Sequence, residues 1–226
     1  MPYAHAAIKR IAGYMAILGR SNLFCNRSLR SARDDFKNKD NMKISKEEKI
    51  ILLKAAHQSI SSLFDGKEPE VPDYKKYPML KEKLGAFVTL TINHQLRGCI
   101  GYVIGREPLF GTICSAAIHA AVNDPRFSAL KNTEFEKIHI EISILSEFIP
   151  IKSYDEIVIG THGLYIDEGG GGLLLPQVAI EHKMNREEFL SALCNKAGFY
   201  SEFWKERMLK IKVFTAEIFS EDETEK

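Results

Sequence analysis

Leu96-Arg97-Gly98-Cys99-Ile100-Gly101 puts two glycines inside a stretch that otherwise reads as a β-strand. Glycine there costs backbone entropy and gives up side-chain packing, so the pair marks a bulge or a close approach to the backbone. Arg97 can grip a carboxylate or phosphate through two parallel N–H donors. Cys99 would serve as a nucleophile wherever Arg97 or an imidazole such as His94 favours its thiolate. Two readings of the hexapeptide follow. In one it is a pocket wall, with the amides of Gly98 and Gly101 exposed to an anion and Arg97 as the clamp. In the other the glycines let a helix pack closely, and Cys99 is a small buried hydrophobe. The spacing is neither that of a phosphate-binding P-loop nor that of a dinucleotide-binding turn.

Outward from the hexapeptide, Gly85 to Ile92 is a strand rich in β-formers, Asn93-His94-Gln95 a turn, and Leu96 to Val103 the returning strand. Leu109, Ile113, Ala116, Ala117 and Ala120 then form a small-residue helical face that ends at Asn123-Asp124-Pro125, since the residue before proline avoids the helical region. Upstream, Ser45 and Glu48 make a capping box for an amphipathic helix that runs to Asp65-Gly66 and carries His57 on its apolar face. Pro69, Pro72 and Pro78 impose a long extended loop, which either borders a site or spans the core surface.

Downstream, Ile138, Ile140, Ile142 and Ile144 alternate with polar residues as in a half-buried strand. Short strands are expected at Ile157 to Ile159 and Leu164 to Ile166. The four glycines Gly169 to Gly172 read as a hairpin turn into Leu173-Leu174-Leu175. Asn185 and Glu188 cap a helix that Gly198 terminates, and Ile211 to Ile218 reads as one last long strand. Hairpins and a few helices without a βαβ rhythm indicate an α+β fold with a mainly antiparallel sheet.

The 226 residues suffice for one domain or two small subdomains, with 45% apolar and 27% charged residues. Lys and Arg number 31 against 30 Asp and Glu, so no global charge draws the chain to nucleic acid or membrane. Cys25, Cys99, Cys114 and Cys194 show no disulfide or metal spacing, which fits a reducing, cytoplasmic setting. No apolar run spans a bilayer. Residues 1–41 read as an upstream extension with six basic residues before Asp34. Met42-Lys43-Ile44-Ser45 looks like a natural start, and residues 220–226 form an acidic tail.

The hexapeptide also resembles the hallmark of the AMMECR family. Other segments agree in order: Gly85 to Leu90, Asp124-Pro125-Arg126-Phe127, Ile140 to Leu145, Gly172 to Ala179, Cys194-Asn195-Lys196-Ala197-Gly198 and Ala216-Glu217-Ile218-Phe219. The resemblance covers residues 42–219. It implies an α+β domain of two subdomains with a cleft between them, but carries no established reaction. It also implies an association with a Memo-like protein and a radical-SAM enzyme. Any radical chemistry would belong to that partner, because the chain lacks a C-x-x-x-C-x-x-C cluster motif.

The candidate site therefore comprises Cys99 as the catalytic position and Arg97, Gly98, Gly101 and Arg126 as ligand contacts, with no metal and no cofactor expected. Glu141 is either a partner for one of these arginines or a solvated carboxylate. His94, His119 and His139 lack metal-site spacing. Phe203 and Trp204 offer either a stacking surface for a base or an anchor to the core. The expected function is an enzyme, or a substrate-holding component of one, working with the Memo-like and radical-SAM partners that the resemblance implies. Its ligand, a small molecule or RNA, is left open. The alternative is a scaffold that binds a protein or RNA.

Overall fold

Ser45 opens the first helix, α1 (Lys46–Asp65), in the computed structural model, which describes residues 44–224. The expectations for residues 1–41 lie outside the described residues. The Ser45 hydroxyl accepts from the Glu48 N–H at 3.2 Å, and the Glu48 carboxylate accepts from the Ser45 N–H at 3.0 Å. The same carboxylate accepts from the Met79 N–H at 3.2 Å, so the cap also ties down the proline-rich loop. That loop lies over the core, with Leu80 buried and Tyr74, Tyr77 and Met79 packed against it. Gly66 ends α1 at φ 74°, a left-handed conformation that costs glycine least.

Strands β1 (Ala86–Ile92) and β2 (Gln95–Tyr102) form a hairpin through Asn93 and His94, both at positive φ, the geometry that matches strand twist in a two-residue turn. Pairing shifts by one residue between Leu90 and Thr91, which leaves Arg97 as the extra residue of a bulge. Helices α2 (Leu109–Val122) and α3 (Asn132–Phe135) follow, then β3 (His139–Leu145). With β8 (Ala216–Ser220) they build an antiparallel sheet in the order β2-β1-β3-β8. Val88, Leu90, Ile140, Ile142 and Ile144 bury one face of it in a core shared with α1 and α2.

A second antiparallel sheet, β4-β7-β5-β6, is made of β4 (Ile149–Pro150), β5 (Gly163–Ile166), β6 (Gly172–Leu174) and β7 (Ile211–Phe214). Helices α4 (Pro176–Glu181) and α5 (Arg186–Lys196) accompany it. Its core gathers Leu164, Ile166, Phe189, Leu193, Ile211 and Val213, separately from the first. The fold is thus α+β with antiparallel sheets, as the sequence indicates.

Two local expectations change. The long last strand divides at Thr215, with β7 in the second sheet and β8 in the first. There Ser146 N–H donates to the Thr215 carbonyl at 2.9 Å and Thr215 N–H donates to Ser146 Oγ at 2.9 Å. The two chain segments therefore cross from sheet to sheet side by side. Ile157 to Ile159 does not form a strand, because other groups satisfy its backbone. Val158 N–H donates to His162 Nδ1 at 3.1 Å, and the Ile157 carbonyl accepts from Arg186 Nε at 3.3 Å.

Candidate functional site

β2 is an edge strand, and its residues divide between two faces. Gly98 and Ile100 pair with Leu90 and Val88 on the core face, whereas Cys99 and Gly101 pair with Thr89 and Phe87 on the opposite face. A Cβ on Gly98 would run into the Ala120 carbonyl of α2, so this glycine allows the helix to approach. A Cβ on Gly101 would run into the Phe87 ring, which lies over the glycine from the neighbouring strand. Both glycines thus serve close approach.

Cys99 is not sealed in the core. It is half-buried and accepts a hydrogen bond from Thr89 Oγ1 at 3.3 Å. Thr89 stands in register with Glu141 on β3, which stands in register with Ser220, so Cys99, Thr89, Glu141 and Ser220 form a polar row across the sheet. Along β3 on this face burial falls away from the crossing: Leu145 and Ser143 are buried, while Glu141 and His139 are half-exposed. The row therefore sits where the face opens to solvent.

Asp124 joins this row to the turn after α2. Its buried carboxylate accepts from the Cys99 N–H at 2.9 Å, on the outer side of the edge strand. It also accepts from Arg126 at the backbone N–H (3.1 Å), Nε (3.0 Å) and Nη2 (2.7 Å). The Arg126 guanidinium, followed by the Cys99 and Arg126 backbone donors, holds the Asp124 carboxyl far below the usual carboxylate range. Arg126 itself stays 54% exposed, fixed on one edge and open on the other.

Arg97 is placed differently. Its side chain is only 12% exposed, and Nε and Nη2 donate to the two oxygens of Glu134 at 2.9 and 3.1 Å. The expectation that Arg97 clamps a ligand meets a guanidinium whose fork Glu134 already fills. Its Nη1 is buried without a hydrogen-bond partner. Both arginines flank Phe127, with guanidinium carbons 5.9 Å (Arg97) and 5.5 Å (Arg126) from the ring centre. The structure thus gathers Arg97, Cys99 and Arg126 around Asp124 and Phe127. The acids seen to hold the arginines are Glu134 for Arg97 and Asp124 for Arg126.

His94 does not serve Cys99, because it lies at the hairpin tip, five residues or about 16 Å of extended strand away. Among the described residues, no three His, Cys, Asp or Glu side chains are grouped to hold a metal ion. Trp204 donates from Nε1 to Ser191 Oγ at 3.0 Å and packs on the second core, which makes it an anchor. Two surface concavities lie elsewhere: one along α5 between Asn185 and Glu202, the other at the start of α1 beside Tyr77. Asp124 and Glu134 join the candidate site through the fold. The Asp-Pro-Arg-Phe segment was a signal for Asp124, whereas nothing in the sequence pointed to Glu134.

Among the described residues no helix is long and apolar enough to cross a membrane. The profile of the AMMECR1 family matches residues 53–219. Protein Ta0236 of Thermoplasma acidophilum is 41% identical over 164 residues, which cover 69% of this chain and 80% of that protein. Protein NEQ441 of Nanoarchaeum equitans is 38% identical over 179 residues, covering 76% of this chain and 99% of that protein. A solved structure, the uncharacterized protein PH0010 from Pyrococcus horikoshii, matches with a TM-score of 0.69 at 39% identity. That match covers 76% of this chain and 90% of the other.

Proposed function

This chain belongs to the AMMECR1 family, and on that premise we propose that it is a substrate-holding protein that grips an anionic small molecule on the open face of its first sheet. One observation carries the reading: Arg126 is half-exposed and is held by Asp124 in the same network that fixes the Cys99 backbone. A preoriented guanidinium loses little freedom on meeting a carboxylate or phosphate, so its grip is directional as well as charged. Cys99 lines the site beside it, its backbone N–H bound by the same carboxylate. Arg97, paired with Glu134 and largely buried, packs against Phe127 and leaves the ligand contact to Arg126.

The chemistry on the held molecule falls to partners, for which a Memo-like protein and a radical-SAM enzyme are the proposed classes. The cytoplasm is the proposed compartment, in keeping with free thiols at Cys99, Cys114 and Cys194. A second reading has a partner protein cover this face, which presents the half-buried row of Cys99, Thr89, Glu141 and Ser220 to solvent. Mass spectrometry of the purified chain under non-denaturing conditions separates the two. The small-molecule reading expects a bound anionic species that is depleted in Arg126→Ala. A bare chain that instead captures a protein partner through this face supports the second reading and overturns the first.

A further inference from the structure

We propose that Asp124 is the positioning residue of this site, setting the Arg126 guanidinium and the Cys99 segment of the edge strand with a single carboxylate. Its importance for a ligand rests on the anion-holding reading above; its hold on the two groups does not. Four donors converge on Asp124: the backbone N–H groups of Cys99 and Arg126, and Nε and Nη2 of Arg126. An ionised carboxylate accepts at about four lone-pair sites, so all four donors can be met at once. Asparagine has the same shape but only one accepting oxygen, and its amide would turn donors toward donors. Asp124→Asn therefore leaves the two donors on one oxygen facing an amide NH2, which breaks the shared hold while changing almost no volume.

The geometry supplies its own controls. Because the Cys99 N–H points outward to Asp124, Thr89 and Cys99 are a non-hydrogen-bonded pair, and the neighbouring Ile100 N–H points inward to β1. Arg97 Nε–H is likewise bound to a carboxylate, but to that of Glu134. A site-specific role confines the change to Cys99 and Arg126. General loosening moves all four groups together.

The test is nitrogen-15 NMR of the full chain, reading amide hydrogen exchange at Cys99 and Ile100 and the Nε–H signals of Arg126 and Arg97. In Asp124→Asn an amide nitrogen replaces one of the two accepting oxygens, so either the Cys99 amide should exchange at least tenfold faster or the Arg126 Nε–H signal should broaden or vanish. Ile100 and Arg97 should stay as in the unmodified chain. Unchanged Cys99 and Arg126 signals, or loss of all four, would overturn the proposal. Should Asp124→Asn fail to fold, Arg126→Lys keeps the test alive. Cys99 must remain protected there, because Asp124 still accepts its N–H, and loss of that protection counts against the proposal. Inorganic phosphate titrated into the unmodified chain should shift the Arg126 Nε–H signal, at least tenfold more weakly in Asp124→Asn. A chain that ignores phosphate yet keeps the four-signal pattern contradicts the anion-holding reading and leaves the positioning role standing.

Discussion

Arg97 and Glu134 face each other through two parallel hydrogen bonds, Nε to Oε1 at 2.9 Å and Nη2 to Oε2 at 3.1 Å. Glu134 Oε2 also accepts from the Lys131 N–H at 2.9 Å, so one carboxylate caps α3 and ties it to the bulge in β2. Breaking a largely buried pair leaves a stranded charge, which costs more than the pair contributes. Glu134→Ala should lower stability by about 2–4 kcal/mol in urea denaturation. Arg97→Ala/Glu134→Ala should cost clearly less than the sum of the two single changes. Additive losses would mean the pair is not coupled.

Acid should weaken the fold through the same group. The Arg97 guanidinium, then the Lys131 N–H, holds the Glu134 carboxyl down at about 2. A carboxyl depressed in the folded state contributes stability above its unfolded value, near 4.3, and loses it as pH falls toward the folded value. The urea midpoint should therefore drop between about pH 4.5 and 2, with Asp124, also depressed, adding to the loss. In Glu134→Gln this acid dependence should be visibly shallower.

The thiols should separate by reactivity. Burial pushes the Cys114 thiol up to about 11, so little thiolate exists there at pH 8. Iodoacetamide at that pH, followed by peptide mass mapping, should label Cys114 at least tenfold more slowly than an unstructured peptide thiol. Cys99, at the open end of its face, should be labelled before either Cys114 or the buried Cys194. Equal labelling of all three would contradict this placement.

Gly98→Ala should be costly, because the added methyl meets the backbone carbonyl of Ala120, which cannot rotate away. Overpacking of this kind costs about 1–3 kcal/mol, and a backbone obstacle argues for the upper end. Gly101→Ala meets the Phe87 ring as well as the Ala86 carbonyl. Thermal unfolding should show both variants below the parent.

The features legible in the sequence are those written over short spans. Ser45 and Glu48, Asn185 and Glu188, the hairpin around Asn93 and the stop at Asn123 each depend on residues within a few positions. The break at Thr215 was hidden because its cause is Ser146, 69 positions away, while the alternation of Ile211 to Ile218 runs on unbroken. The same holds for the site. Asp124 and Arg126 are two residues apart and travel in one motif, whereas Arg97 finds Glu134 across 37 residues. An arginine beside two glycines reads as unpartnered until the fold brings its acid to it.

In the proposed function Arg126 is the arginine that meets the ligand, with Arg97 as a brace. Non-denaturing mass spectra of the parent chain, Arg126→Ala and Arg97→Lys, purified side by side, test this most directly. The predicted result is an anionic species bound to the parent and to Arg97→Lys and lost from Arg126→Ala. A species retained by Arg126→Ala but lost from Arg97→Lys would contradict it.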